Sequence, residues 1–276
     1  MRDFVVLAAT DFSDSSFDML NKASRLADTM GARLCVAHVI EDSFFADIDD
    51  NVDFRGRCWE SLGGRVTGLK FENFYCKKGN IKDEISKLAK ELDAYVVIIG
   101  AAGESSVLED LFVGSHTKDI IRGASSPVLI IKNALSPEYK RILFPTDFSD
   151  ESRIAVKKAA DMFSDAKLVL LNLYTVPFES RLSNYYGFSS AAIDDFQDNI
   201  RSDIDKKANI FIDSLGIQKD RVELRIMKGR VGHRHFMDTV APINADLICL
   251  HTTGIFSFFA FDILESSSLD VLMYKF

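Results

Sequence analysis

The chain has 276 residues, of which 47% are hydrophobic and 27% are charged, as is typical of a water-soluble globular protein. It has 41 acidic residues against 33 Lys plus Arg, which gives a net charge of -8. Because affinity for nucleic acid depends on neutralising phosphates, this balance argues against nucleic acid as the main partner.

The sequence carries no signal for membrane insertion, secretion or metal binding. The apolar run before Thr10 is too short for a signal peptide or anchor, and no other run is long enough to span a bilayer. We therefore expect a cytoplasmic protein without membrane contact. The four cysteines form no close pair along the chain, so we predict neither a metal site nor a redox motif and expect small buried hydrophobes. They are Cys35, Cys58, Cys76 and Cys249.

One five-residue motif, Thr-Asp-Phe-Ser-Asp, occurs at positions 10–14 and again at 146–150. Each copy follows an apolar run and opens an amphipathic segment, which is typical of the first strand, turn and helix of an α/β domain. A repeat of this kind indicates a tandem duplication. We predict two domains, 1–133 and 141–276, joined by a linker at 134–140.

The first repeat alternates strand-like and helix-like segments. Ser13 is placed to cap the first helix, and Phe12 and Phe17 occupy the hydrophobic staple positions around that cap. Trp59, the one tryptophan of the chain, lies in a predicted short helix. The predicted strands are residues 4–9, 34–40, 69–77, 95–99 and 127–132, and further helices are predicted at 81–92 and 115–122.

The second repeat follows the same order, with a shortened loop and a shortened helix after its fourth strand. Its predicted strands are residues 141–144, 167–174, 221–227, 246–250 and 271–276, and its predicted helices are 150–163, 191–215 and 236–241. This alternation predicts an α/β fold of two tandem domains, each a Rossmann-like parallel five-stranded open sheet with helices on both faces. Ligands of such sheets bind beyond the carboxyl ends of the strands.

A glycine-bearing loop follows the fourth strand of the first repeat. It begins Gly100-Ala101-Ala102-Gly103 and ends at Gly114-Ser115, where a helix starts. Bare backbone N–H groups and a helix N-terminus together make a phosphate cradle. The alternative is that Gly100 only serves the turn after the strand.

The pattern as a whole resembles the universal stress protein (UspA-like) family. The likeness rests on the strand that ends in Thr-Asp-Phe-Ser, on His38-Val39-Ile40, on the G-x-x-G…G-S loop and on Ser126-Pro127-Val128-Leu129. It covers nearly the whole chain and implies the adenine nucleotide alpha-hydrolase-like fold, twice in tandem. In the ATP-binding branch of this family, the end of strand one and strand two contact adenine, the end of strand four contacts the ribose, and the glycine loop contacts the phosphates.

This resemblance implies that the first repeat binds an adenine nucleotide, ATP or AMP, either with or without Mg²⁺. The implied nucleotide-binding residues are Ala9, Thr10, Asp11 and Val39 for the base, Ile99 and Gly100 for the sugar, and Gly103, Gly114, Ser115 and His116 for the phosphates. Two features depart from the family: the glycine loop is one residue longer, and Ala9 stands where proline is frequent. The loop also has three acids, Glu104, Glu109 and Asp110. Asp11 has an alternative role as a turn residue.

The second repeat keeps the Thr-Asp turn but lacks the glycine loop. His251 replaces the first glycine, Phe256 and Phe258 follow, and no Gly-Ser pair occurs. We therefore predict that this repeat does not bind ATP in the family manner. A metal site formed by His233, His235 and His251 is not predicted, because positions i and i+2 of a helix point in different directions.

No catalytic motif is legible, so we expect a regulatory binding protein with at most slow ATP hydrolysis. The alternative is a nucleotide-free scaffold that acts through protein contacts or a small apolar ligand. Because edge strands need a partner, we expect residues 127–132 to pair with 271–276 as an intramolecular pseudo-dimer. Further association of two such chains into a homodimer is compatible with the sequence.

Overall fold

The computed structural model describes residues 4–41, 53–101, 115–135, 138–176, 189–229, 233–253 and 257–276. The strands are β1 (Val5–Ala9), β2 (Arg33–Ile40), β3 (Phe74–Lys78), β4 (Val96–Gly100), β5 (Val128–Ile131), β6 (Arg141–Pro145), β7 (Lys167–Tyr174), β8 (Val222–Lys228), β9 (Leu247–His251) and β10 (Asp270–Tyr274). The helices are α1 (Asp14–Thr29), α2 (Phe54–Leu62), α3 (Ile81–Glu91), α4 (Ser115–Gly123), α5 (Asp150–Met162), α6 (Ser190–Leu215), α7 (His233–Val240) and α8 (Ser257–Ser266). This alternation confirms the predicted α/β fold class.

The chain divides into two compact units. Unit 1 comprises Met1–Glu138, Asp246–Ile248 and Leu264–Phe276, and unit 2 comprises Tyr139–Ala245 and Cys249–Ile263. The last strand of the chain, β10, thus belongs to unit 1. The predicted domain limits and linker stay a prediction.

In unit 1 the strands follow the order β3-β2-β1-β4-β5-β10. The pairs among β1 to β5 are parallel, and β10 runs antiparallel to β5, with Val271 opposite Ile130 and Met273 opposite Val128. The predicted pairing of residues 127–132 with 271–276 is confirmed. The chain leaves β1 toward β2 and later returns to its other side as β4, so the strand order reverses between β1 and β4. Parallel sheets bind ligands at such a point.

Unit 2 has the order β9-β6-β7-β8, and the last three residues of β9 belong to it. β6, β7 and β8 are parallel, with Pro145 opposite Leu171 and Tyr174 opposite Lys228. Here the order reverses between β6 and β9, which are the counterparts of β1 and β4.

The central strands are buried because their residues are apolar along the whole length of each strand. Val6, Leu7 and Ala8 of β1 are each 0% exposed, as are Leu168 and Val169 of β7. Continuous apolar runs of this kind are typical of parallel strands that are covered on both sides. Among the described helices, none combines the length and the apolar character that crossing a bilayer requires.

The predicted cap of the first helix is confirmed, and unit 2 repeats it. Ser13 Oγ accepts a hydrogen bond from the Ser16 backbone N–H (3.2 Å) at the start of α1, and Phe12 and Phe17 flank the cap with ring centroids 6.4 Å apart. Ser149 caps α5 in the same way. Side-chain caps satisfy N–H groups that have no acceptor within the helix.

Two local predictions are wrong. Strand three begins at Phe74 rather than at residue 69, because Phe71–Asn73 form a 3₁₀ turn whose Phe71 carbonyl is held by Arg55 Nη2 (2.7 Å). The helix after the fourth strand of the second repeat is not shortened, since α8 has 10 residues and α4 has 9. The preceding loop is shorter, as predicted: β9 ends at His251 and α8 begins at Ser257.

A buried ion pair in unit 1 joins α1 to the start of β10. Lys22 Nζ lies 2.6 Å from Asp270 Oδ2, and the two side chains are 3% and 1% exposed. Asp270 Oδ1 also accepts the backbone N–H groups of Lys132 (2.7 Å) and Asn133 (2.9 Å), just after β5. One carboxylate therefore holds three donors from two other parts of the unit.

Candidate functional site

The segment after β1 forms a hydrogen-bonded turn. The Thr10 backbone N–H donates to the Ala37 carbonyl of β2 (2.9 Å), and Thr10 Oγ1 accepts from the Phe12 N–H (3.1 Å). Asp11 Oδ1 accepts from the backbone N–H (3.1 Å) and the hydroxyl (2.7 Å) of Ser13. Asp11 therefore has the turn role that the sequence left open for it, because it orients the cap of α1.

The same turn occurs in unit 2. Thr146 Oγ1 accepts from the Phe148 N–H (3.0 Å), and Asp147 Oδ1 accepts from the Ser149 N–H (3.1 Å). Phe12 and Phe148 both have left-handed backbones, with φ of 64° and 63°. A phenylalanine adopts this conformation only where its surroundings impose it. Because both units impose it, this strain belongs to the fold and not to a ligand site of one repeat.

In each unit, a side chain of the second strand forms a hydrogen bond with the backbone of the turn. His38 Nδ1 lies 2.9 Å from the Thr10 carbonyl oxygen in unit 1, and Asn172 Nδ2 donates to the Thr146 carbonyl (2.7 Å) in unit 2. Burial lowers the pKa of His38 below its ordinary 6.5, although the Thr10 hydrogen bond and Asp11 oppose this shift. The neutral imidazole therefore donates its Nδ1–H to Thr10. Its ring also packs on Phe12, with centroids 4.4 Å apart.

The carboxyl end of β4 has no side chain, because the strand ends at Gly100. Ile98 is opposite Ala8, so Gly100 is level with Thr10 on the neighbouring strand. Thr117 Oγ1, in the first turn of α4, donates to the Gly100 carbonyl (3.4 Å) and ties the start of the helix to the end of the strand. A bare strand end beside a helix N-terminus suits an anionic group.

The structure brings six of the predicted nucleotide-binding residues to the carboxyl ends of β1, β2 and β4. They are Ala9, Thr10, Asp11, Val39, Ile99 and Gly100. Ile99 is 4% exposed, so its side chain belongs to the core and its backbone alone is available for a ligand. Gly103 and Gly114 lie outside the described residues. Ser115 and His116 begin α4, and only their backbone is described.

In unit 2 an imidazole stands where unit 1 has Gly100. His251 is 3% exposed, its Nε2 lies 2.9 Å from Ser152 Oγ, and its Nδ1 lies 3.0 Å from Thr253 Oγ1. Ser152 Oγ donates to Asp147 Oδ1 (3.0 Å), so it accepts from Nε2–H of the neutral ring. We call Asp147, Ser152, His251 and Thr253 the His251 cluster. It links the end of β9 to the first turn of α5.

The corresponding serine of unit 1 has a different partner. Ser16 Oγ, in the first turn of α1, forms a hydrogen bond with Thr10 Oγ1 (2.8 Å). Sequence reasoning identified His251 as a substitution for glycine but missed its bond to Ser152. The available signal was the comparison of the two repeats: a serine recurs at positions 16 and 152, whereas Gly100 of the first repeat is replaced by His251 in the second. Phe256 lies outside the described residues, and the structure describes only the backbone of Phe258.

Burial and hydrogen bonding leave the two titratable groups of the cluster in different charge states, one ionised and one neutral. Burial lowers the pKa of His251 below 6.5, although Asp147, Glu151 and a hydrogen bond with Thr253 oppose the shift. Burial raises the pKa of Asp147, but hydrogen bonds from Ser149 and Ser152 outweigh it and leave the pKa below the ordinary 3.8. At neutral pH the cluster is therefore a carboxylate beside a neutral imidazole.

We expect acidification to destabilise the protein partly through His251. Its pKa is lower in the folded than in the unfolded state, so the unfolded chain binds the proton first as the pH falls below 6.5. Stability is thus present above that pH and is lost below it. Urea titrations followed by circular dichroism should show a smaller loss of unfolding free energy between about pH 7 and about pH 5 for His251→Asn than for the wild type. Equal losses would contradict this assignment.

The described residues hold no group of three or more His, Cys, Asp or Glu side chains arranged for a metal ion. His251 in particular uses both ring nitrogens within its cluster. The side chains of His233 and His235 are not among those described.

The doubly wound α/β arrangement, with a turn and a reversal of strand order in each unit, defines a tandem Rossmann-like protein. The model of the Universal stress protein family matches residues 5–132 and 138–274. The chain therefore belongs to the universal stress protein family, as the sequence predicted, and carries that domain twice.

Its relatives are distant or partial matches. Universal stress protein G of Shigella flexneri is 39% identical over 54 residues, which cover 20% of this chain and 37% of that protein. Universal stress protein A homolog 1 of Coxiella burnetii is 27% identical over 137 residues, which cover 46% of this chain and 94% of that protein. A solved universal stress protein from Archaeoglobus fulgidus matches over 100% of this chain and 99% of its own, with TM-score 0.67 and 18% identity. At that identity the likeness concerns the fold alone.

Proposed function

We propose that the first repeat binds an adenine nucleotide, ATP or AMP, and that the second repeat has a structural or partner-binding role. The contrast between Gly100 and His251 carries this proposal. Gly100 leaves the strand end beside the start of α4 without a side chain, whereas the buried imidazole of His251 occupies the corresponding place in unit 2. A ligand that approaches the backbone closely needs the first arrangement.

In this proposal the nucleotide lies across the carboxyl ends of β1, β2 and β4. Ala9, Thr10, Asp11 and Val39 contact the base, and the backbone of Ile99 and Gly100 contacts the sugar. The phosphates are assigned to Gly103, Gly114, Ser115 and His116. Of these, Ser115 and His116 begin α4, where unpaired N–H groups and the helix dipole favour an anion.

The acids Glu104, Glu109 and Asp110 of the same loop repel a triphosphate unless a cation lies between them. Mg²⁺ bound by carboxylate and phosphate oxygens would supply that cation. The proposal therefore favours either ATP with Mg²⁺ or a nucleotide with fewer phosphates, such as AMP. These acids also favour the second candidate function, a nucleotide-free scaffold that acts through protein contacts or a small apolar ligand.

As a regulator in the cytoplasm, the protein would respond to nucleotide by a population shift. A ligand moves such an equilibrium only by its difference in affinity for the two states. In this scheme, nucleotide binding changes the segment 103–114, which a partner would recognise. The proposal assigns no catalytic role to the chain, and slow ATP hydrolysis would be attributed to it only if turnover were measured and disappeared in Asp11→Ala.

The matched variants Asp11→Ala and Asp147→Ala test this proposal. Each removes the carboxylate that accepts a hydrogen bond from the serine at the helix cap, so the structural cost is similar in the two units. We expect isothermal titration with ATP or AMP, with and without Mg²⁺, to show binding by the wild type and by Asp147→Ala. Asp11→Ala should bind at least about tenfold more weakly, or ~1.4 kcal/mol.

Two results would reject the nucleotide proposal. Absence of binding by the wild type, under all four conditions, would leave the scaffold as the better function. Equal weakening by the two substitutions would mean that the turn acts on the fold alone and that Asp11 is no ligand residue.

A further inference from the structure

Two cysteines that are far apart in the sequence lie side by side in unit 1. Cys58 is on α2 and Cys76 is on β3, and their Sγ atoms are 3.9 Å apart. Both residues are partly exposed, whereas Cys35 and Cys249 are buried. Their separation of 18 positions along the chain hides this proximity from the sequence.

The proximity of these thiols results from firm docking of α2 on β3. Arg55 Nε donates to the Phe74 carbonyl (2.9 Å), and the Arg55 guanidinium carbon lies 4.2 Å from the centroid of the Phe71 ring. Trp59 packs against Phe71 and Phe74, with ring centroids 5.4 Å and 5.9 Å apart. The residues on both sides of Cys58 and Cys76 thus hold the helix against the strand.

We infer that Cys58 and Cys76 form a dithiol site that a peroxide, either hydrogen peroxide or an organic hydroperoxide, oxidises to a reversible disulfide. Disulfide sulfurs are about 2.05 Å apart, so the two atoms need to approach by about 2 Å. β3 is the terminal strand in the order of the unit 1 sheet, and α2 packs on it. The disulfide would therefore link this helix covalently to an edge strand.

The chemistry balances with peroxide as the two-electron oxidant. The Cys58 thiolate attacks one peroxide oxygen, the O–O bond breaks, and the hydroxide or alkoxide that leaves takes up a proton. Cys76 then attacks the resulting sulfenic acid, its thiol proton goes to the departing hydroxide, and water is released as the S–S bond forms. Both sulfurs are oxidised, and a thiol reductant reverses the reaction.

The hydrogen bond between the two thiols distinguishes their roles. It lowers the pKa of Cys58, although burial opposes the shift. The same hydrogen bond, together with burial, raises the pKa of Cys76, while Arg55 opposes the rise. Because the thiolate is the nucleophile, Cys58 is the cysteine that reacts with peroxide and Cys76 is the resolving cysteine.

Peptide mapping of the oxidised full-length chain tests this inference. Trypsin cleaves after Arg57, Arg65, Lys70 and Lys77, so each cysteine of the pair lies in its own peptide, 58–65 and 71–77. After peroxide treatment and blocking of the remaining thiols, we expect these peptides to be joined and to separate with dithiothreitol. The thiols that can be titrated in denaturant should fall from four to two.

The fluorescence of Trp59 gives a second readout without digestion. It is the one tryptophan of the chain and is adjacent to Cys58, so a neighbouring disulfide should quench it reversibly. We expect quenching in the wild type and in Cys35→Ser, and none in Cys76→Ser, whose Cys58 should instead be trapped as a sulfenic acid. Four titratable thiols after oxidation, a disulfide between molecules, or Cys58 sulfinic acid beside an unchanged Cys76 would each overturn the inference.

Discussion

Replacing Gly100 by histidine should strongly weaken nucleotide binding by the first repeat. The substitution places in unit 1 an imidazole at the position that His251 has in unit 2. His251 is 3% exposed and forms a hydrogen bond with Ser152 of α5. In unit 1, Ser16 corresponds to Ser152, and Gly100 is level with Thr10 on the neighbouring strand. The new ring would therefore fill the proposed sugar subsite. We expect a loss of at least about 100-fold in affinity, or ~2.7 kcal/mol, by isothermal titration.

The control for this experiment is Asn172→His. It adds an imidazole to unit 2 at the place where unit 1 has His38, next to an equivalent carbonyl, and should leave nucleotide affinity unchanged. If Gly100→His folds as the wild type does and keeps wild-type affinity, the nucleotide does not use the end of β4, and the assignment of Ile99 and Gly100 is wrong.

Replacing Asp270 by alanine should have the largest effect on stability. The change leaves the buried ammonium of Lys22 without its carboxylate and removes the acceptor of the backbone N–H groups of Lys132 and Asn133. Breaking a buried ion pair from one side costs about 3–5 kcal/mol. Urea unfolding followed by Trp59 fluorescence reports on unit 1 directly and should show a loss in that range.

Asp119→Ala is the matched control in the same unit. It breaks the ion pair with Arg122, in which both side chains are more than half exposed, and exposed pairs contribute at most about 1 kcal/mol. The double variant Lys22→Met with Asp270→Leu should recover part of the stability, because it removes both charges from the interior but still lacks the acceptor of the Lys132 and Asn133 N–H groups. A loss below about 1 kcal/mol for Asp270→Ala would show that water reaches Lys22.

The features that sequence predicted well depend on neighbours along the chain. A serine that follows the strand-ending Thr-Asp turn accepts a hydrogen bond from a helix N–H group three residues later, so the cap predicted at Ser13 lies at the start of α1. The repeated motif likewise predicted the start of α5 at Asp150. The strand predicted at residues 167–174 has the same bounds as β7. A parallel strand that is buried on both faces is a nearly continuous apolar run, so its two ends are visible in the sequence. The Thr-Asp repeat itself predicted that the fold occurs twice.

The features that sequence reasoning missed depend on contacts between distant segments. Residues 69–73 have strand-like composition, yet the bond from Arg55 to the Phe71 carbonyl belongs to a 3₁₀ turn there. No local pattern links Lys22 to Asp270, which are 248 positions apart in the sequence. Cys58 and Cys76 become a pair only because α2 docks on β3. None of these contacts has a local pattern.

The most direct test of the proposed function is the number of nucleotides that one chain binds. Equilibrium dialysis of the full-length protein against labelled ATP with Mg²⁺, and separately against labelled AMP, measures that number at saturation. An open strand end at Gly100 and a filled one at His251 predict one nucleotide per chain. Two nucleotides per chain would mean that the His251 cluster does not prevent nucleotide binding by the second repeat. No binding of either nucleotide would contradict the proposal.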